Sequence, residues 1–123
     1  MIRASNVTKI FPGTRGLGEV VALQDISFEV ASGELVTLLG ASGCGKTTML
    51  NIIAGFEKPS KGIIEVDGKI VDRPSPQRGV IFQQPALFPW LSVIENVLFG
   101  PLAQGKSRKE MEQKALDFLH TVK

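Results

Sequence analysis

The strongest chemical pattern in the sequence is the run from Gly40 to Thr47, which has the spacing G-x-x-x-x-G-K-[ST]. Glycines adopt backbone angles closed to other residues, so consecutive N–H groups of such a loop can turn inward towards an anion. We call residues 40–47 the phosphate loop. The residues predicted to contact a nucleotide's phosphates are Gly40, Ala41, Ser42, Gly43, Cys44, Gly45, Lys46, Thr47 and Thr48. Lys46 adds a positive charge, and the Thr47 hydroxyl is placed to reach Mg²⁺.

A phosphate loop needs a strand before it and a helix after it, and the sequence predicts both. Residues 35–39 form an unbroken apolar run, which predicts a strand buried on both faces. Residues 47–54 are typical of a helix, and Gly55 would end it. The positive end of that helix would point at the phosphates. This order favours a nucleotide site over the alternative, a glycine-rich turn that precedes a helix by chance.

Composition limits the class of protein. The 123 residues are 43% hydrophobic and 21% charged, which suits one soluble domain with a genuine core. The net charge of +2 is too small to indicate nucleic-acid binding. A single cysteine excludes an internal disulfide, and the first residues lack the apolar stretch of a signal peptide, so we expect a cytoplasmic chain. No run approaches the roughly eighteen apolar residues that a spanning helix requires.

The remaining elements follow from local signals. We predict strands at residues 2–11, 20–30 and 79–82, a loose connection at 12–18, and a hairpin over 63–71 that turns at Asp-Gly. Ser92 with Glu95, and Ser107 with Glu110, have the capping-box spacing that starts a helix. Gly100-Pro101 would end the first of these helices. The second has an apolar stripe, and the single histidine, His120, is expected at its surface; the stripe consists of Met111, Ala115, Phe118, Leu119 and Val122.

Several runs spread over nearly the whole chain resemble the ATP-binding subunit of ABC transporters. Besides the phosphate loop, they are Ala22-Leu23-Gln24-Asp25-Ile26-Ser27, Gly33-Glu34, Leu50-Asn51-Ile52-Ile53-Ala54-Gly55, Asp67-Gly68, Val80-Ile81-Phe82-Gln83 and Leu91-Ser92-Val93-Ile94-Glu95-Asn96-Val97. Four features are similar to the importer branch that handles taurine, alkanesulfonates and nitrate: Cys44, Ala54-Gly55-Phe56, Arg78-Gly79-Val80 and Phe88-Pro89-Trp90. The resemblance implies an α/β fold, a P-loop NTPase core with antiparallel β elements that is incomplete here. Residues 1–84 would be the N-terminal part of that core, and residues 85–123 the Q-loop segment and the start of a helical subdomain.

The resemblance also implies ATP and Mg²⁺ as cofactors. Lys46 and Gln83 are then the candidate catalytic residues, and Thr47 and Gln83 the candidate Mg²⁺ ligands. Gln83 corresponds to the family's Q-loop glutamine, which contacts Mg²⁺ and the attacking water; a polar strand end is the alternative. Phe11 resembles the aromatic residue that stacks on adenine, and the alternative is a core phenylalanine that closes a strand.

Partners are implied in the same way. Leu87, Phe88, Pro89, Trp90 and Leu91, which we call the aromatic segment, would line the groove for the cytoplasmic helix of a transmembrane permease. The alternative is that they form the small core of the helical subdomain. A second ATP-binding subunit is the other implied partner. The complete protein would lie peripherally on the cytoplasmic face of the inner membrane and drive uptake of taurine or another sulfonate.

Other parts of the family pattern do not occur in these 123 residues: the Leu-Ser-Gly-Gly-Gln signature, the Walker B carboxylates and the switch histidine. We therefore expect the chain alone to bind ATP weakly, if at all, and not to hydrolyse it. Two alternatives stay open, a cytosolic P-loop ATPase without a permease and a non-catalytic fragment that binds nucleotide or a partner. Bulky alkylation of Cys44 is expected to block nucleotide binding, unless Cys44 is only a small tolerated residue.

Overall fold

The computed structural model describes residues 1–13 and 18–122. The chain divides into two compact units, Met1–Arg78 and Gly79–Lys123. The predicted connection at 12–18 falls partly on residues 14–17, which lie outside the described residues.

The first unit is built on an antiparallel sheet with the strand order β2-β1-β3-β4. The strands are β1 (Ile2–Phe11), β2 (Val20–Val30), β3 (Lys61–Val66) and β4 (Lys69–Ile70). The structure confirms the strands expected at 2–11 and 20–30, and the hairpin. Asp67 and Gly68 form the two-residue turn with φ of 50° and 73°, the double positive φ that this hairpin turn requires.

β1 and β2 depart from strict alternation near their middles. Asn6 and Asp25 adopt φ of 49° and 50°, and the Asn6 side-chain amide donates to the Asp25 carboxylate over 2.8 Å. Asn and Asp tolerate this left-handed region better than most residues. The register between the strands shifts on both sides of Val7, which is completely buried. Lys9 then pairs with Leu23, and after a third shift, between Lys9 and Ile10, Phe11 pairs with Val20.

Helix α1 (Lys46–Ala54) supplies Met49 and Ile52 to the core that it forms with the sheet. Gly55 ends it as predicted: its φ is 86°, and the N–H of Phe56 donates to the Asn51 carbonyl over 2.9 Å. Burial of apolar side chains from both the helix and the sheet is the main stabilising term here. The buried core consists of Ala4, Val7, Leu23, Met49, Ile52, Ile64 and Val71.

Two predicted strands were wrong. Residues 35–39 have no regular secondary structure, and Leu35 and Leu39 are each 90% exposed. Residues 79–82 are also irregular, and Ile81 is fully exposed. A strand is stabilised by hydrogen bonds to neighbouring strands, and within residues 1–13 and 18–122 neither segment pairs with one. An apolar run indicates that a segment is suited to burial, but it does not indicate whether a neighbouring strand is present to pair with it.

The second unit contains helices α2 (Val93–Ala103) and α3 (Arg108–Thr121). Both predicted starts are confirmed, and Ser92 and Glu95 form the full reciprocal capping box. The Ser92 hydroxyl and N–H donate to the Glu95 carboxylate, and they hold the pKa of Glu95 below its ordinary value. At Ser107 the hydroxyl accepts from the Glu110 N–H, over 3.3 Å.

The expected end of α2 at Gly100-Pro101 was wrong, because the helix continues to Ala103. Pro101 lies in the last turn, where its missing N–H removes only one of the final hydrogen bonds. The helix is closed instead around Gly105 at φ 79°, where the N–H of Lys106 donates to the Pro101 carbonyl. On α3, Ala115 is buried, whereas Phe118 and Val122 of the predicted stripe are exposed. His120 is exposed, as expected.

Candidate nucleotide-binding site

The position of the phosphate loop is set at Gly45, the N-cap of α1. Its φ is 93° and ψ is 1°, a left-handed conformation that strains any residue with a side chain. A Cβ at this position would also collide with the Ala22 carbonyl oxygen and with Cδ2 of Leu23. Glycine is therefore required twice over, because the loop lies directly against the backbone of β2. Gly43, at φ 80°, needs the same conformation but has open space around it.

The Lys46 ammonium is held by the loop's own backbone. Its Nζ donates to the carbonyl oxygens of Gly40 and Ala41 over 2.8 and 2.6 Å, and it lies 3.6 Å from Sγ of Cys44. The Lys46 side chain is half-buried, and Cys44 is exposed. The loop thus fixes a positive charge within its own turn, next to the first residues of α1.

The N-terminal end of α1 is open on the side of the loop. Within the described residues, no side chain caps Gly45, and the first turn carries no acidic residue. The N–H of Met49 makes the first bond of the helix, to the Gly45 carbonyl over 2.9 Å, so earlier N–H groups lie before the regular helical ladder. Thr47 is exposed and Thr48 is half-buried in this first turn. The N–H groups of the first helical turn, the helix dipole and Lys46 together favour an anion here.

Phe11 is the last residue of β1, and it lies beside Lys9, whose ammonium contacts Glu57 and Lys58 in the segment after α1. Leu23 contacts the loop at Gly45 and is the cross-strand partner of Lys9, so both side chains leave the same face. Phe11 follows two residues later along β1, and the Lys9 Nζ lies 4.9 Å from its ring centroid. Val20, the partner of Phe11, is two residues from Ala22, the residue that Gly45 approaches. Phe11 is half-buried.

The other predicted site residues belong to the second unit. Gln83 is exposed and lies in an irregular segment. Its predicted roles at Mg²⁺ and water, like those of the phosphate-loop residues, stay predictions. Among residues 1–13 and 18–122, no group of three His, Cys, Asp or Glu side chains is arranged to hold a metal ion.

The aromatic segment is folded around one polar residue that the sequence analysis did not single out. Asn96, in the first turn of α2, accepts from the N–H of Phe88 over 2.8 Å. Its amide donates to the carbonyls of Phe88, Leu91 and Ser92 over 3.0 to 3.2 Å. One amide side chain therefore closes the loop onto the helix. The sequence signal for this role is an Asn four residues after an N-cap. That spacing does not predict which atoms of the loop the amide contacts.

The side chains of the aromatic segment divide between packing and exposure. Phe88 is half-buried, with its ring centroid 4.4 Å from that of Phe99 and 5.6 Å from that of Trp90. Leu87 and Trp90 are 71% and 76% exposed. A groove of about 440 Å³ opens beside them, and it is lined by Leu87, Phe88, Pro89, Leu91, Val93, Asn96 and Val97. Phe88 thus packs against Phe99 inside the unit, while Leu87 and Trp90 stay exposed. Within the described part of the chain, no helix is long and apolar enough to cross a bilayer.

The loop between β2 and α1, together with the antiparallel sheet, defines the class of protein as a P-loop nucleotide-binding protein. A protein-family model described as "ABC transporter" matches residues 23–123, and the chain belongs to that family. This confirms the resemblance and the fold class that the sequence predicted.

Relatives and solved structures agree with this assignment. The chain is 48% identical to the taurine import ATP-binding protein TauB of Burkholderia pseudomallei (strain 1710b) over 120 residues, which are 98% of this chain and 45% of that protein. It is 54% identical to TauB of Jannaschia sp. (strain CCS1), over 85% of this chain and 39% of that protein. The dimeric ATP-binding cassette MJ0796 bound to ADP and Pi superposes with a TM-score of 0.81 at 32% identity, covering 95% of this chain and 55% of that one. The chain thus spans about half the length of the curated relatives it matches.

Proposed function

We propose that the chain is the nucleotide-binding N-terminal part of the ATP-binding subunit of an ABC importer. The observation that carries the proposal is the phosphate loop, whose Gly45 lies against β2 and whose Lys46 charge is fixed by the loop's own carbonyls. The cassette MJ0796, which resembles this chain, holds ADP and Pi. In our proposal, the ligand is ATP, and its phosphates meet residues 40–48.

The residues have distinct roles in this proposal. The N–H groups of the loop and of the first turn of α1 bind the phosphate oxygens. When ATP binds, the Lys46 ammonium donates to phosphate oxygens in place of the Gly40 and Ala41 carbonyls. The exposed Thr47 hydroxyl and the Gln83 amide oxygen are hard ligands that suit Mg²⁺. Mg²⁺, when bound with ATP, neutralises charge on the phosphates during transfer. Phe11 stacks on the base.

Hydrolysis and transport belong, in this proposal, to the complete subunit. The match covers only 45% of the TauB protein of Burkholderia pseudomallei, so more than half of that relative has no counterpart in this chain. The sequence contains no Leu-Ser-Gly-Gly-Gln signature. We propose that a second ATP-binding subunit completes the site and that the exposed part of the aromatic segment contacts a permease at the cytoplasmic face of the membrane. The solute would be taurine or another sulfonate, since the similar TauB proteins are named for taurine import.

The experiment is a titration of the ¹⁵N-labelled chain with Mg-ATP and with magnesium tripolyphosphate, followed by amide chemical shifts. We expect both ligands to shift amides of residues 40–48, and Lys46→Ala to weaken both by at least about tenfold, because it removes the charge that meets the phosphates. Lys69→Ala, an exposed lysine of β4, is the matched control. Equal affinities in the two variants would rule out the phosphate loop as the binding site.

A steady-state ATPase assay, run with and without a full-length partner subunit, separates the non-catalytic fragment from the transporter subunit and the cytosolic ATPase. Phosphate release by the chain alone that disappears with Lys46→Ala would contradict the assignment of hydrolysis to the complete subunit. Pull-down with the cytoplasmic loop of a candidate permease, using Trp90→Ala as the variant, separates the transporter subunit from a cytosolic ATPase.

A further inference from the structure

The region around Phe11 contains a lysine that the phosphate and base contacts do not use. Lys9 is strongly buried for its type, with its side chain 11% exposed. Its Nζ donates to Oε1 of Glu57 over 2.6 Å and to the carbonyl of Lys58 over 2.8 Å. Two of the three ammonium donors are therefore engaged, and the charge is neutralised by a carboxylate.

The third contact of this ammonium is the aromatic ring. The Lys9 Nζ lies 4.9 Å from the centroid of Phe11, within the range in which a cation is attracted to the face of a ring. A Lys stem usually moves freely among many rotamers, but here Glu57 and Lys58 fix its end. The ammonium thus contacts one face of the ring, which leaves the opposite face as the candidate for stacking.

The anchor of this lysine comes from the helix that follows the phosphate loop. Helix α1 begins at Lys46 and ends at Ala54, and Glu57 lies three residues beyond its end. One short helix thus carries the phosphate-binding residues at its first turn and, just past its last turn, the carboxylate that holds Lys9. The positions of Phe11 and of the phosphate loop are linked through the same rigid element.

From this geometry we infer that Lys9, held by Glu57, is a positioning residue that orients the Phe11 ring to stack on the nucleobase. The inference rests on the proposed function, because it requires a nucleotide whose phosphates lie in the phosphate loop. Lys9 touches neither the phosphates nor the base. Its effect is confined to the part of the affinity that comes from the base.

The test compares ATP with tripolyphosphate, which has the phosphates and no base. Lys9→Met keeps an unbranched side chain of similar length and removes the charge. We expect it to raise the Kd for Mg-ATP roughly three- to tenfold, the range of a partly desolvated cation–π contact, and to leave the Kd for tripolyphosphate within about twofold. Lys61→Met, at an exposed lysine at the start of β3, is the matched control and should change neither Kd.

Phe11→Leu and the double variant show whether the effect passes through the ring. Phe11→Leu should weaken ATP and spare tripolyphosphate in the same way, and Lys9→Met combined with Phe11→Leu should be no weaker than Phe11→Leu alone. Glu57→Gln should reproduce part of the Lys9→Met effect. In the free chain, Lys9→Met should shift the ring proton resonances of Phe11, and Lys61→Met should not.

The failures of the two proposals differ. If Lys9→Met weakens ATP and tripolyphosphate by the same factor, Lys9 only stabilises the fold and the inference is wrong. It is also wrong if Lys9→Met changes neither affinity, or if ATP binds no more tightly than tripolyphosphate in the unsubstituted chain. In each of these cases the proposed function stands as long as Lys46→Ala weakens tripolyphosphate binding by at least about tenfold. Loss of that dependence on Lys46, or no binding of either ligand, contradicts both proposals.

Discussion

The contact between the phosphate loop and β2 can be tested with two glycines of the same loop. Gly45 and Gly43 both have positive φ, 93° and 80°, so Gly→Ala at either position forces a side chain into the left-handed region at about 1–2 kcal/mol. At Gly43 nothing lies within 4 Å of the added Cβ, and the cost ends there. At Gly45 the Cβ meets the backbone of Ala22, which cannot rotate away.

The additional cost at Gly45 is that of overpacking against backbone, about 1–3 kcal/mol. The expected total for Gly45→Ala is thus about 2–5 kcal/mol, against about 1–2 for Gly43→Ala. A loss of that size is a large part of the 5–15 kcal/mol that typically stabilises a domain. The start of α1 would have to move away from β2, and tripolyphosphate binding would be lost with it. Gly43→Ala should retain part of that binding.

The assay is amide hydrogen exchange by NMR, because it reports local opening in one unit without assuming that both units unfold together. The reporter is the Met49 N–H, which donates to the Gly45 carbonyl over 2.9 Å. We expect its opening free energy to fall by at least about 1 kcal/mol more in Gly45→Ala than in Gly43→Ala. Equal losses would refute the close approach of Gly45 to β2. An unfolded Gly45→Ala chain beside a folded Gly43→Ala chain is the extreme form of the expected result.

Three other predictions concern single side chains. The hydrogen bond from Lys9 lowers the pKa of Glu57, so its stabilisation is present above the ordinary value of 4.5 and lost as the pH falls through the lower folded value; in urea titrations, the stability difference between the wild type and Glu57→Gln should shrink below pH 4.5. Ser92→Ala breaks a full capping box and should cost about 1–2 kcal/mol, against about 0.5–1 for Ser107→Ala, measured by hydrogen exchange in each helix. Asn96→Ala removes four hydrogen bonds and should cost about 2–4 kcal/mol, seen as faster exchange of the Phe88 amide.

The features predicted correctly are those whose causes are local in the sequence. The Asp67-Gly68 turn, the αL glycine after α1 and the serine caps of α2 and α3 each depend on a few adjacent residues. Turns and helix caps are determined by residues one to four positions apart, so they can be predicted from a short stretch of sequence. The glycine conformations of the phosphate loop are local in the same sense, because Gly43 and Gly45 lie within eight residues of its start, whereas its contacts to phosphate stay predictions.

The features that were missed depend on residues distant in the sequence. Residues 35–39 have the composition of a buried strand, but strand formation needs a partner that composition does not provide. In the sequence, Lys9 is one polar residue of an alternating strand pattern. Only the fold brings it into contact with Glu57, which lies 48 positions later in the chain. Asn96 is similar, since its four bonds depend on a loop that folds back over α2.

The two units divide the candidate chemistry along the sequence. Every residue proposed to meet the phosphates or the base belongs to Met1–Arg78, as does the positioning residue Lys9, and the aromatic segment belongs to Gly79–Lys123. Within the first unit the positions of loop and ring are set by contacts of α1, at Gly45 on one side and Glu57 on the other. If the proposed function is right, nucleotide affinity depends on how α1 packs on the sheet. In the second unit, the hydrogen bonds of Asn96 and the ring contact of Phe88 with Phe99 organise the aromatic segment that is proposed to meet a partner.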